Sequence, residues 1–162
     1  MEIYCDGSCS PNTGMGAAVY IKYLCPSNDI MDYNVILIKP DEKKATSPRA
    51  EIISIQYALS VTSTVPEMEC TIYNDNEYAV KTFNEYYPNW IRKGDFNKKS
   101  GKPHAHLDLL TPMYTYFASQ QPRIKIIHVR GHVGVIGNEI ADVYAKQAAL
   151  LAPGTVTTLL HQ

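Results

Sequence analysis

Four carboxylates are spaced so that a compact fold could bring them together: Asp6, Glu51, Asp75 and Asp142. Asp6 falls at the expected end of an opening apolar strand, and Glu51 falls inside the first helical pattern. Asp75 follows a fourth apolar strand, and Asp142 is expected in the first turn of the last helix. Acids gathered at one point repel each other unless a divalent cation holds them, so such a cluster suits metal-assisted chemistry. The stretch leading to Asp142 reads VRGHVGVIGNEIAD from Val129, an apolar strand joined to an amphipathic helix by a glycine-rich loop. That loop carries His132, and an imidazole with an ordinary pKa near about 6.5 suits proton exchange.

Taken singly, these residues have plainer readings. Asp6 could be a turn residue, Asp142 a favourable charge at a helix N-terminus, and His132 an ordinary loop histidine. Glu51 is harder to dismiss, because a carboxylate near the apolar face of a helix is costly unless paired or metal-bound.

The elements that must position these groups follow from hydrophobic period. Alternation over Glu2–Tyr4, Ala17–Tyr23 and Tyr33–Ile38 predicts three short strands, and their close spacing favours an antiparallel meander. Ser47-Pro48 reads as a helix start, with Ser47 as N-cap and Pro48 at the first helical position. Ile52, Ile55 and Leu59 supply that helix with an apolar face. A strand over Cys70–Tyr73 and a helix over Glu77–Asn84 follow. Pro88 to Pro103 reads as a polar, basic segment with Trp90 near its start. Leu107–Ala118 reads as a helix that Pro112 would kink or interrupt, Ile124–Val129 as a strand, and Asn138–Leu150 as the last helix.

Three strands followed by βαβα units predict an α/β domain: one mixed five-stranded sheet with helices on both faces. Residues 1–150 make up this single domain, and 151–162 read as an irregular tail. In such sheets chemistry gathers at strand ends and the adjoining loops. Adjacent positions for the strands carrying Asp6 and Asp75 would bring those acids together, with Glu51 and Asp142 supplied from helices.

Composition sets the bounds. With 162 residues, 45 % of them hydrophobic and 19 % charged, the chain can bury a sizeable core and is not of the disordered class. No apolar run approaches the roughly 20 residues of a membrane helix, and the N-terminus lacks the regions of a secretory signal. A soluble, cytoplasmic protein with no membrane partner is expected, acting as a monomer. The four cysteines, Cys5, Cys9, Cys25 and Cys70, are expected to be reduced thiols. Two histidine pairs, His104 with His106 and His128 with His132, have no thiolate beside them, so no zinc site is expected. Net charge is −1, yet Arg92, Lys93, Lys98, Lys99 and Lys102 are opposed within their segment only by Asp95. Alone, such a run is a solvated loop; its meaning changes if the rest of the chain points to nucleic acid.

In order along the chain, Asp6-Gly7-Ser8, Arg49-Ala50-Glu51, Asn74-Asp75-Asn76-Glu77-Tyr78, Gly131-His132 and Gly137-Asn138-Glu139-x-Ala141-Asp142 resemble the type 1 ribonuclease H family. Each fragment is weak alone; five in order, on the expected elements, are specific. The resemblance implies the ribonuclease H-like fold and hydrolysis of the RNA strand of RNA–DNA hybrids, leaving 3′-hydroxyl and 5′-phosphate ends. It implies two Mg²⁺ ions, with Mn²⁺ as an alternative. Asp6 would bridge them, Glu51 and Asp75 would hold one side and Asp142 the other, while His132 assists proton movement or product release. Two such metals, about 4 Å apart, activate water and stabilise the leaving oxygen.

For substrate, the resemblance places Asn12 and Glu77 against the minor groove, where RNA displays its 2′-hydroxyls, and the backbone around Cys9 and Arg49 nearby. It places Trp90 at the base of a basic protrusion whose Arg92, Lys93, Lys98, Lys99 and Lys102 grip DNA phosphates. Two departures stand out. Pro48, where polar amides are common, has no N–H to offer substrate, and Glu77 puts a negative charge where an amide is common. No N-terminal hybrid-binding module is expected, since the first strand begins almost at Met1. Two other readings fit the same fold: a nucleic-acid-binding scaffold with a vestigial site, and a junction-cleaving or integrase-like nuclease.

Overall fold

The computed structural model describes residues 1–10, 14–24, 30–38 and 46–151, with 30–38 described by their backbone pairing alone. Asn12, Cys25 and the tail beyond residue 151 lie outside the described residues. Strands β1 (Glu2–Ser10), β2 (Gly14–Tyr23) and β3 (Ile30–Ile38) form the antiparallel meander. Strands β4 (Cys70–Asn74) and β5 (Ile124–His128) join it in parallel, giving one five-stranded sheet of order β3-β2-β1-β4-β5.

Side-chain alternation along the strands builds two faces. Ile3 and Cys5 of β1, Val19 and Ile21 of β2, Ile72 of β4 and Ile124 of β5 are buried in the larger core. Helix α1 (Ser47–Thr62) presses Ile52, Ile55, Ala58 and Leu59 into it, and α4 (Leu107–Ser119) adds Leu110 and Phe117. On the opposite face α5 (Ile136–Leu150) lies close, through Ala145 and Ala148 against Ala18. The approach depends on side chains of at most one carbon: a Cβ on Gly16 would lie 2.4 Å from the Ala149 nitrogen.

Several boundaries differ from the sequence expectation, each for a local reason. β1 continues to Ser10, so Asp6 is interior to the strand rather than at its end, and Asp6-Gly7-Ser8 is extended ladder instead of a turn. The cap of α1 is Thr46, one residue earlier than Ser47; its hydroxyl accepts from the Arg49 N–H at 3.3 Å. Pro48 still lies in the first turn, where a missing N–H costs nothing. Beyond β4 the helix does not stop at Asn84. Helix α2 (Glu77–Lys81) runs through one π-helical turn (Thr82–Tyr86) into α3 (Tyr87–Lys93). The wider turn directly precedes Pro88, which cannot donate to the carbonyl four residues back. Pro112 is exposed on α4, which runs through it uninterrupted. Helix α5 begins at Ile136, so its first-turn acid is Glu139, and Asp142 sits a turn further on.

Among the described residues no helix is long and apolar enough to cross a membrane. Cys5, Cys9 and Cys70 are free thiols.

Candidate active site

The parallel pairing of β1 with β4 sets Tyr4 beside Tyr73. Two residues further on along each chain segment stand Asp6, within β1, and Asp75, just past the end of β4, and Glu51 of α1 meets both. Asp6, Glu51 and Asp75 each present a ligand oxygen within 4.8 Å of the others. Asp6 is 3 % exposed and Glu51 7 %, so two of the three carboxyl groups are out of water. An all-oxygen donor set at this spacing fits a hard divalent cation. Asp142 approaches from α5, near enough for its charge to bear on Asp6, and it accepts a bond from the Lys146 ammonium at 2.7 Å.

Uncharged residues aim these acids. Glu51 Oε2 accepts from the Gly7 N–H at 3.1 Å and from Asn74 Nδ2 at 3.0 Å. The same Asn74 amide lies 3.0 Å from the Cys5 carbonyl and 3.2 Å from the Ser54 hydroxyl, while its Oδ1 accepts from the Asn76 N–H at 2.9 Å. Asn74 is thus the fully buried hub joining β1, α1 and the start of α2. Asn138 of α5 donates to Asp75 Oδ2 at 3.0 Å. Gly131 leaves room for the same carboxylate, since a Cβ there would stand 2.8 Å from Asp75 Oδ2.

Burial dominates the electrostatics. It raises the Asp6 carboxyl far above the carboxylate range, and the charges of Glu51, Asp75 and Asp142 push it further. Burial also raises Glu51; the Asn74 bond opposes this, Asp75 adds to it, and the Gly7 N–H opposes it. An acid whose folded pKa is raised binds more protons folded than unfolded, so it stabilises at low pH and loses that contribution as pH climbs through the folded value. Without metal, the melting temperature is therefore expected to fall as pH rises from about 5 to about 8, ordinary unfolded carboxyls having pKa values near about 4. Mg²⁺ should remove most of that fall by neutralising the acids. Thermal melts across this range in EDTA and in Mg²⁺ check it; parallel profiles would count against a cation at these carboxylates.

His132 is exposed, in left-handed backbone at φ 56°, between Gly131 and Gly134. The loop is closed behind it by Glu139, whose carboxylate accepts from the Gly134 N–H at 3.1 Å. The structure brings Asp6, Glu51 and Asp75 together, with Asp142 outside that trio on α5 and His132 on the adjoining exposed loop.

The substrate candidates divide. Cys9 is half-buried on β1, on the strand that carries Asp6. The Arg49 guanidinium is not directed outward: it makes a two-point ion pair with Asp108 of α4, at 3.1 and 2.6 Å, and is 6 % exposed. Glu77 is exposed, with its charge met by Lys81 at 2.6 Å. The indole of Trp90 stacks on the His104 ring at 3.8 Å and 8°. Beyond that stack Arg92, Lys93, Lys98, Lys99 and Lys102 are all exposed.

Asn138, Gly131, Lys146 and Asp108 had no role assigned from sequence, and neither had the Asn74 amide. Only Asn74 carried a signal by itself: an amide ending an otherwise apolar run, Cys70-Thr71-Ile72-Tyr73.

The RNase H family model matches residues 1–150. The ribonuclease H of Thiobacillus denitrificans is 32 % identical over 150 residues, covering 93 % of each protein. Among solved structures, the PFV RNase H domain superposes with a TM-score of 0.75 at 24 % identity, covering 91 % of this chain and 93 % of that one. A foamy viral protease-reverse transcriptase in complex with RNA/DNA hybrid superposes with a TM-score of 0.71 at 21 % identity, over 92 % of this chain and 20 % of its own length. At those identities the two structures speak for the fold.

Proposed function

The chain belongs to the ribonuclease H family, and from its carboxylate cluster we propose that it is an endoribonuclease that hydrolyses the RNA strand of RNA–DNA hybrids, leaving 3′-hydroxyl and 5′-phosphate ends. The observation that carries this reading is the convergence of Asp6, Glu51 and Asp75, all in the family's order along the chain, onto one point. A phosphodiester resists attack because its oxygens repel an incoming hydroxide. Two Mg²⁺ ions, when bound, would supply the activated water and the counter-charge for the leaving oxygen.

The protein's own groups do the rest. Asp6 is the acid on which Glu51, Asp75 and Asp142 all bear, the place a shared ligand needs. Glu51 and Asp75 would serve one side of it and Asp142 the other. Asn74, the Gly7 N–H and Asn138 hold the carboxylates in place without adding charge. His132, on its exposed loop, can exchange protons with solvent and with a departing product.

For the hybrid, the backbone at Cys9 and Arg49-Ala50 would meet the 2′-hydroxyls, and Glu77, already paired with Lys81, would sit at the groove with its charge offset. Trp90 and the basic residues from Arg92 to Lys102 would hold the DNA strand through phosphates, without base preference and with strong salt dependence.

The test presents one labelled sequence as RNA–DNA hybrid, double-stranded RNA, single-stranded RNA and double-stranded DNA, with Mg²⁺ and then with EDTA. Cutting confined to the RNA of the hybrid and lost in EDTA is expected. Binding without cutting would favour a scaffold, and cutting of another duplex would retain the fold and overturn the specificity.

A further inference from the structure

One cation already sits at the edge of the carboxylate cluster. Asp6, Glu51 and Asp75 share a point within 4.8 Å, whereas Asp142 stands outside that trio with Lys146 on its Oδ2 at 2.7 Å. Aspartate followed by lysine at i+4 is the favoured helical order, and on most surfaces such a pair is incidental. Here the setting differs. The Asp142 side chain is only 17 % exposed, against 56 % for Lys146, and the ammonium also lies in the field of Asp6 and Asp75.

We propose that Lys146 acts as a resident counter-charge on the Asp142 side of the cluster, so that divalent cations bind in order: first at Asp6, Glu51 and Asp75, and only weakly at Asp142 until the ammonium gives way. The inference rests on the metal-dependent reading above. Two effects act in the same direction. A cation arriving at Asp142 must share or displace the lysine bond, and it must approach a like charge. A single and a double charge about 6 Å apart in water repel enough to shift an equilibrium roughly tenfold. Asp142 keeps its second oxygen, so Lys146 weakens the second site rather than closing it. Lys146 is a positioning residue in this account, because it acts through Asp142.

Calorimetric titration of the full chain with Mn²⁺ in the absence of nucleic acid, paired with electron paramagnetic resonance counts of bound Mn²⁺, tests the order. The wild type should show one stronger and one weaker cation. Lys146→Gln, on an exposed position, should strengthen the weaker site by about three- to tenfold and leave the stronger one unchanged. Lys146→Arg, which keeps the charge, should behave as wild type. Two equal sites in the wild type, or an unaltered weaker site in Lys146→Gln, would overturn the proposal while leaving the enzyme assignment standing. If Asp6→Asn titrates like wild type, no cation uses these acids, and the metal-dependent reading itself fails.

Discussion

Asp6→Asn is expected to lower hybrid cleavage by at least about a thousandfold, since loss of a shared metal ligand removes several kcal/mol of transition-state stabilisation. The fold should survive, because asparagine keeps the shape of the side chain. Stability in EDTA near neutral pH should rise rather than fall. Burial and three neighbouring carboxylates disfavour ionised Asp6, and the amide removes that unfavourable charge. Opposite movement of rate and melting temperature is hard to obtain from general damage. His132→Ala is the comparison: on its exposed loop, outside the inner acids, its loss should slow turnover far less. Near-normal cleavage by Asp6→Asn would remove the metal assignment, and equal losses in the two variants would give His132 a more central part.

The largest structural effect is expected from Gly7→Val. A Cβ at Gly7 would stand 2.2 Å from the carbonyl carbon of Ala50 and 2.4 Å from the backbone nitrogen of Glu51. These are backbone atoms of a helix, with no rotamer available to them, so β1 and α1 must separate. Overpacking of this kind costs about 3 kcal/mol or more, roughly a 10 °C fall in melting temperature for a domain of this size. Separation also takes Glu51 away from the Gly7 N–H that it accepts from at 3.1 Å. Cleavage should therefore fall even well below the new melting point. Thermal melts and rates measured together check this; an unchanged melting temperature would mean that α1 can shift without cost.

Asp6-Gly7-Ser8 shows where sequence reading reached and where it stopped. The residue types announced metal chemistry, and the period-two pattern located the strands. Yet a turn-like tripeptide proved to be strand, because its glycine serves the approach of α1, a contact with residues more than 40 positions away. The helix expected to end at Asn84 instead continues through a π-helical turn into α3, with Pro88 in its first turn. Asp142 was legible as an acid, but its placement in the second turn depended on where Ile136 begins α5. The amides Asn74 and Asn138 were the hardest to assign. Their roles are hydrogen bonds to acids distant in sequence, and neither periodicity nor propensity records such bonds.

The face-to-face rings of Trp90 and His104 pin the two ends of the basic segment to each other, and Asn97 and Pro103 pair within it. The segment is therefore a cassette, fastened at its base and away from the amides that aim the carboxylates. Its length and charge can drift, or be exchanged by design, while the cluster of acids stays in place. On the proposed reading of that segment, the grip on a duplex and the cutting of it are separate inheritances within one small domain.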